Sequence, residues 1–237
     1  MSFYIFNIPH SSTYVPFTEG FIGKSYLKEI ELLTDHATDI IFNVEGSRKM
    51  ICPFSRVFCD VERFPDSREE MEKYGMGVFY THTDKGELMR ELSADKRAIF
   101  MNAFYYNYHT KLEKLIHETI KMYKHATIVD CHSFTNTPFN RDLDKTENRP
   151  DICIGTDLYH TPIDLENNLV YYFQKQGFSV SVNSPYKGCL VPSVFLHRNK
   201  KVQAVMIEVN RNLYMTERKV LKRKTKALNK IISGFFQ

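Results

Sequence analysis

The stretch IVDCHSF, residues 128–134, closes a β-branched apolar run with Asp130, Cys131 and His132. The run has the composition of a buried strand, and a plain hydrophobic core has little use for the groups that end it. Similar runs recur along the chain. FYIFNI (3–8), RVFCDV (56–61), ATIVDC (126–131), DICIG (151–155), FSVSVN (178–183) and VQAVMIEV (202–209) read as strands. Helical patterns cover about 24–44, 94–123, 162–176 and 216–234. Ser93 is placed to cap the second of these, with Asp95 in its first turn, and Thr161 followed by Pro162 opens the third. Strands alternating with helices define an α/β fold.

Aligned by their last residues, the strands collect polar chemistry at one end. His10 follows the first; Asp60, Glu62 and Arg63 follow the second; Asp130 and His132 end the third; Glu208 and Arg211 end the last. Ligands of open α/β sheets bind beyond the carboxyl ends of the strands, so a largely parallel sheet gathers these residues. Glu208 is the sharpest case. A carboxylate in a nearly continuous apolar strand costs several kcal/mol if unpaired, so it must face a metal, a basic partner or a solvated cleft. Two histidines and several carboxylates at strand ends are the ingredients of a catalytic zinc site, which takes three protein ligands and keeps one position open. His36, His82, His117, His125, His160 and His197 lack that placement, and His109, inside YYNYHTKLEKL, is expected beneath the site. Cys131 adjoins His132, but strand neighbours point to opposite faces, so Cys131 is expected to pack.

Other chemistries recede on composition and motif. The chain has 237 residues, 43% of them hydrophobic, enough for one sizeable core, and a single domain over 1–237 is expected with a long surface excursion at about 65–90. Lysine plus arginine exceeds aspartate plus glutamate by 32 − 28 = +4, too little to imply nucleic acid or an anionic membrane. Five cysteines without CxxC spacing fit a reducing cytoplasm. The N-terminus lacks a signal-peptide pattern, and no apolar run reaches the ~18 residues of a membrane span. There is no G-x-S-x-G elbow, no phosphate loop, no G-x-G-x-x-G turn and no H-E-x-x-H helix.

The ordered set IPHSS (8–12), TDHATD (34–39), SRVFCDVER (55–63), YHTKL (108–112), VDCHS (129–133), PDICIG (150–155), VNSPYKG (182–188) and IEVNRNLYM (207–215) resembles the N-formylglutamate amidohydrolase family. That family is related to the zinc carboxypeptidases and aspartoacylase. The resemblance implies a three-layer α/β/α sandwich around a mixed, largely parallel sheet, one zinc ion, and hydrolysis of an N-acyl amino acid, N-formyl-L-glutamate first among them, as in histidine degradation. It makes His10 and His132 metal ligands and Glu208 the base that activates water. Carboxypeptidases place a glutamate three residues after the first histidine; here that position is Thr13. Asp35, in the TD signature, is therefore expected as the third ligand, with Asp60 and Glu62 as the other candidates. Arg63 is expected to clamp a substrate carboxylate by its bidentate fork, although Glu62 stands where the related deacylases carry asparagine. Arg56 and Arg211 are candidate oxyanion donors. Asn183, Tyr186 and Arg211 are candidate substrate contacts, and Asp130, Ser133 and His109 are expected to support the ligands.

The resemblance implies a small-molecule partner and no nucleic acid or membrane, and leaves the oligomeric state open. Two other classes bear weighing. A hydrolase of another N-acyl amino acid or small peptide would use the same residues, and a non-catalytic binder could keep the fold alone. The basic segment ERKVLKRKTKALNK (217–230) could bind a polyanion, yet Val220, Leu221, Leu228, Ile231 and Ile232 give it an apolar side for docking.

Overall fold

Alternation along the longest strands sorts their side chains onto two faces, and each face receives its own helices. The computed structural model describes residues 3–217 and 219–237. β1 (Tyr4–Ile8) is followed by α1 (Ser25–Leu33), α2 (Thr38–Ile41) and β2 (Arg48–Ile51). After a long run of turns come α3 (Ala94–Phe100), a π-helical stretch (Met101–Tyr106) and α4 (Asn107–Tyr123). Then follow β3 (Ala126–Phe134), β4 (Ile152–Gly155), α5 (Ile163–Lys175), β5 (Val180–Val182) and β6 (Val202–Asn210). A small hairpin, β7 (Met215–Thr216) with β8 (Lys219–Val220), precedes α6 (Lys222–Phe236).

The strands form one six-stranded sheet in the order β2-β1-β3-β6-β4-β5. The first four run parallel; β4 is antiparallel to β6, and β5 parallel to β4. On one face Ile5, Ile128 and Ala204 pack with Phe100, Leu112 and Ile116 of α3 and α4. On the other, Phe6, Val129, Cys131, Val205 and Ile207 pack with Leu169 and Phe173 of α5 and Leu228, Ile232 and Phe236 of α6. The architecture is a mixed α/β fold with helices on both sides of a largely parallel sheet, consistent with a three-layer sandwich. Toward the carboxyl ends of the parallel strands the first face turns polar. Ile128 gives way to Asp130 and His132, Ala204 to Met206 and Glu208, and Ile5 to Asn7.

Several expected elements differ. RVFCDV is not a strand: its segment is tied into tight turns, with Phe58 and Cys59 N–H groups donating to Ser55 O. Val57, Phe58, Cys59, Asp60 and Val61 are buried alike, so their apolarity reflects enclosure rather than a pleat. The true edge strand, β2, is half-buried and too mixed in sequence to announce itself. The helix expected over 24–44 is broken after Leu33, and the one expected over 216–234 begins only at Lys222; its residue 218 lies outside the described residues. Ser93 caps α3 by accepting from Lys96 N–H. Pro162, rather than Thr161, is the cap of α5, because the Thr161 hydroxyl donates to Ala204 O. The 65–90 excursion has little regular structure, but it is no mere surface loop: Val78, Phe79, Tyr80, Met89 and Arg90 are buried.

Candidate active site

Three adjacent parallel strands deliver the centre. His10 lies just beyond β1, His132 near the end of β3, and Glu208 opposite His132 in register on β6. The break between α1 and α2 delivers Asp35: Thr34 is extended, its hydroxyl returns to Ile30 O, and Asp35 N–H donates to His10 O at 2.9 Å. Asp60 and Glu62 arrive from the turns after Ser55. His10, Asp35, Glu62, His132 and Glu208 floor a cleft of about 990 Å³ also lined by Leu33, Arg56, Arg63, Phe64 and Met206, with Asp60 buried behind them.

The two imidazoles face each other with their Nδ1 atoms 3.3 Å apart. Asp35 Oδ2 lies 3.1 Å from His132 Nδ1 and 3.7 Å from His10 Nδ1. The outer nitrogens have carboxylates of their own. His10 Nε2 is 2.8 Å from Asp60 Oδ1, and His132 Nε2 lies 3.3 Å from Asp130 Oδ1 and 3.1 Å from Glu62 Oε2. His10, Glu62 and His132 each bring a ligand atom within 4.8 Å of the other two, a set that could hold a metal ion.

Charge is balanced tightly. Burial opposes the ionisation of Asp35, but hydrogen bonds from both histidines and the charge of Arg211 hold it well below the usual carboxylate range. Burial likewise opposes charge on Asp60 and is outweighed by His10 and Arg56. Asp130, buried but facing His132, falls to about 2. Burial disfavours protonation of His132, yet Glu62 and Asp130 raise it well above the ordinary imidazole value, and His10 rises under Asp60 and Glu62 against burial and Arg56. Glu208 behaves oppositely: burial pushes it up to about 8, and its Oε2 is buried with no hydrogen-bond partner.

Of the other expected residues, Arg56 grips Asp60 Oδ2 from Nε and Nη2 at 3.2 and 3.0 Å while lining the cleft. Arg63 lines the cleft with a buried Nε that makes no hydrogen bond. Arg211 lines the cleft while donating to Asp35 Oδ1, Ser133 Oγ, Ser133 O and Leu32 O, so most of its guanidinium is engaged in holding Asp35 and Ser133. Tyr186 borders the cleft, but its hydroxyl is held between Arg149 and Asp142. Asn183 is a turn residue with φ of 56°, its side chain bonded to Thr156. His109 lies beneath the site and meets Val61 O at 2.8 Å.

Sequence reasoning missed two supports. Tyr80 donates to Asp60 Oδ2 at 2.7 Å, from a stretch read as loop. Tyr108 donates to Asn7 Oδ1 at 2.6 Å, and Asn7 Nδ2 donates to Asp130 Oδ1 at 2.9 Å, extending the chain of bonds from His132 into the core. A lone asparagine inside FYIFNI was the available signal.

A parallel-stranded α/β fold whose strand ends surround a buried histidine–carboxylate cluster at the floor of an open cleft has the architecture of an enzyme. The chain belongs to the N-formylglutamate amidohydrolase family, whose model matches residues 2–215. Among curated proteins no sequence matches. The fold is similar to that of an N-formylglutamate amidohydrolase from Ralstonia eutropha JMP134, at 20% identity and a TM-score of 0.80, covering 98% of this chain and 93% of the other. It is also similar to a gene product of Agrobacterium tumefaciens, at 16% identity and a TM-score of 0.72, covering 99% of this chain and 89% of that one. The family is one of amidohydrolases acting on a small molecule. Among the described residues no helix is long and apolar enough to cross a membrane.

Proposed function

We propose that this chain is a zinc-dependent hydrolase that converts N-formyl-L-glutamate to L-glutamate and formate. One arrangement carries the reading: two imidazole Nδ1 atoms facing each other at 3.3 Å beside a buried, unpartnered oxygen of Glu208, in a member of this family. Two lone pairs so placed need a shared proton or a cation. The donor set fits the cation. Ligands bound at ~2.1 Å in a tetrahedron lie about 3.4 Å apart, and the edges of the triangle His10 Nδ1, His132 Nδ1, Asp35 Oδ2 are 3.1, 3.3 and 3.7 Å. Asp60 lies 2.8 Å from His10 Nε2, and Glu62 and Asp130 lie 3.1 and 3.3 Å from His132 Nε2, the usual way carboxylates fix the tautomer of a ligating histidine. Glu62 approaches only the outer nitrogens, 3.1 Å from His132 Nε2 and 3.7 Å from His10 Nε2, whereas Asp35 faces the paired inner nitrogens, which favours Asp35 as the third ligand there.

Bound there, zinc supplies Lewis acidity and lowers the pKa of water to about 7. Glu208 takes the proton of the attacking water on Oε2 as the new C–O bond forms, then returns it to the amide nitrogen as the C–N bond breaks. Arg56, fixed by Asp60 and Tyr80, directs a donor at the developing oxyanion. Arg63, paired only loosely with Asp60 and Glu69, binds a substrate carboxylate. The reading includes one domain over 1–237, supported by the six-stranded sheet that links β1 to β6, and a cytoplasmic setting, supported by five free cysteines. The polyanion-binder alternative is disfavoured by α6, which docks Leu228, Ile232 and Phe236 on the sheet.

The test joins elemental analysis of the purified protein with a screen of N-formyl, N-acetyl and N-succinyl amino acids, with and without chelator. Stoichiometric zinc and chelator-sensitive cleavage of N-formylglutamate are expected. A zinc-loaded protein that leaves every N-acyl amino acid intact would overturn the proposal.

A further inference from the structure

N-formylglutamate carries two carboxylates, but most cations lining the cleft already have protein partners. Arg211 holds Asp35 and Ser133, Arg56 holds Asp60, and Arg68 pairs with Asp66 at 2.7 Å. Arg141 donates to the carbonyls of Tyr74 and Asp84, and Lys145 to those of Phe139 and Asn140. Two groups remain. Arg63 makes no hydrogen bond through Nε and pairs only loosely with Asp60 at 3.5 Å and Glu69 at 3.7 Å, and Lys187, among the described residues, has neither hydrogen bond nor ion pair while lining the same cleft.

Their positions are complementary. Arg63 stands on the β1 side of the centre, with Nε 3.5 Å from Asp60 Oδ2 and Asp60 in turn bonded to His10. Lys187 stands on the β4 side. Tyr186 O accepts from Cys153 Sγ at 3.2 Å, and Cys153 is the register partner of Glu208. The chain then crosses so close over β4 that a β-carbon at Gly155 would collide with Gly188 O and with Met206, which explains the glycine. The centre is thus flanked by a loosely paired arginine on one side and, among the described residues, an unpaired lysine on the other. The α-carboxylate and the side chain of an amino acid leave Cα along different tetrahedral bonds, and a formyl group has no tail to fill either wall.

We infer that Lys187 binds the side-chain carboxylate of an N-acyl dicarboxylic amino acid, opposite Arg63, and thereby sets the preference for an acidic side chain. This rests on the function proposed above. Lysine suits that position because the far carboxylate needs a mobile point charge, whereas the one beside the reacting amide needs the fixed fork of arginine.

The metal-loaded protein is assayed on N-formylglutamate and N-formylglutamine. Lys187→Met should lower kcat/KM for the first about 10- to 100-fold more than for the second, and Lys187→Arg should restore most of the difference. Equal losses on both substrates, or none on N-formylglutamate, overturn the assignment. Calorimetric titration with glutarate and with butyrate gives a readout independent of hydrolysis. Weaker glutarate binding in Lys187→Met, with butyrate binding unchanged, supports the subsite even if no formyl amide is cleaved, in which case only the wider reading falls. Identical glutarate binding by wild type and Lys187→Met overturns the subsite whatever the activity.

Discussion

Glu208 illustrates how one side chain can be legible in sequence for energetic reasons. Embedded at the end of an apolar strand with one oxygen unpartnered, it destabilises the fold unless it holds a proton or meets a ligand. Glu208→Gln keeps the shape and removes the base, so kcat should fall by ~10²–10⁴-fold with zinc retained and KM little changed. Loss of zinc from this variant, seen by elemental analysis, would make Glu208 a ligand instead. The competing third ligands separate in the same way: Asp35→Asn should release the metal, whereas Glu62→Gln should keep it, and the reverse pattern would move the site to the outer nitrogens. His10, His132 and Glu208 stand out because each interrupts or ends an apolar run. The engagement of Arg211 with Asp35 and of Tyr186 with Arg149 could not be read this way, since residue type shows what a side chain can donate and not which acceptor claims it. Tyr80 gave no signal at all, because its stretch has no period.

Breaks in regular structure do much of the positioning. Continuing α1 through residue 34 would carry Asp35 around the helix; the extended Thr34 and the left-handed Ala37 instead turn its carboxylate onto the histidines. A sequence with TDHATD between apolar residues reads as unbroken helix because no glycine or proline marks the stop. RVFCDV misled for the opposite reason, being buried on all sides without pleating. The long helical pattern over 94–123 was legible, but not its π-helical turn, a distortion often found near functional sites. Tyr105 within that turn and Tyr108 and His109 just after it hold Arg63 O, Asn7 and Val61 O from below. Tyr108→Phe should leave the buried Asn7 Oδ1 without its donor and lower stability by about 1–3 kcal/mol, measurable as a shift in urea midpoint. No change would mean that Asn7 finds another partner and that α4 contributes only apolar packing.

The whole fold converges charge at the carboxyl ends of the central strands, and this sets how stability must respond to pH. Without metal, His10 and His132 bind protons more tightly in the folded chain than in the unfolded one, and Glu208 does the same. Wherever the folded state holds extra protons, stability falls as pH rises. The histidine contribution is complete below about 6.5 and is lost as pH climbs through the raised folded values; that of Glu208 fades from about 4.5 to about 8. Asp35, Asp60 and Asp130 act with opposite sign, their contributions being lost as pH falls below the ordinary carboxylate value. Chelator-treated protein should therefore be most stable in mildly acid solution and lose melting temperature as pH rises above about 6.5. If, as proposed, a divalent cation takes the place of the imidazole protons, the metal-loaded protein should keep its melting temperature over that range and lose metal in acid instead. Thermal melts at half-unit pH steps, with and without chelator, make the comparison. Parallel curves for the two forms would mean that no metal competes with these protons, and the paired imidazoles would then be a proton-sharing structural pair.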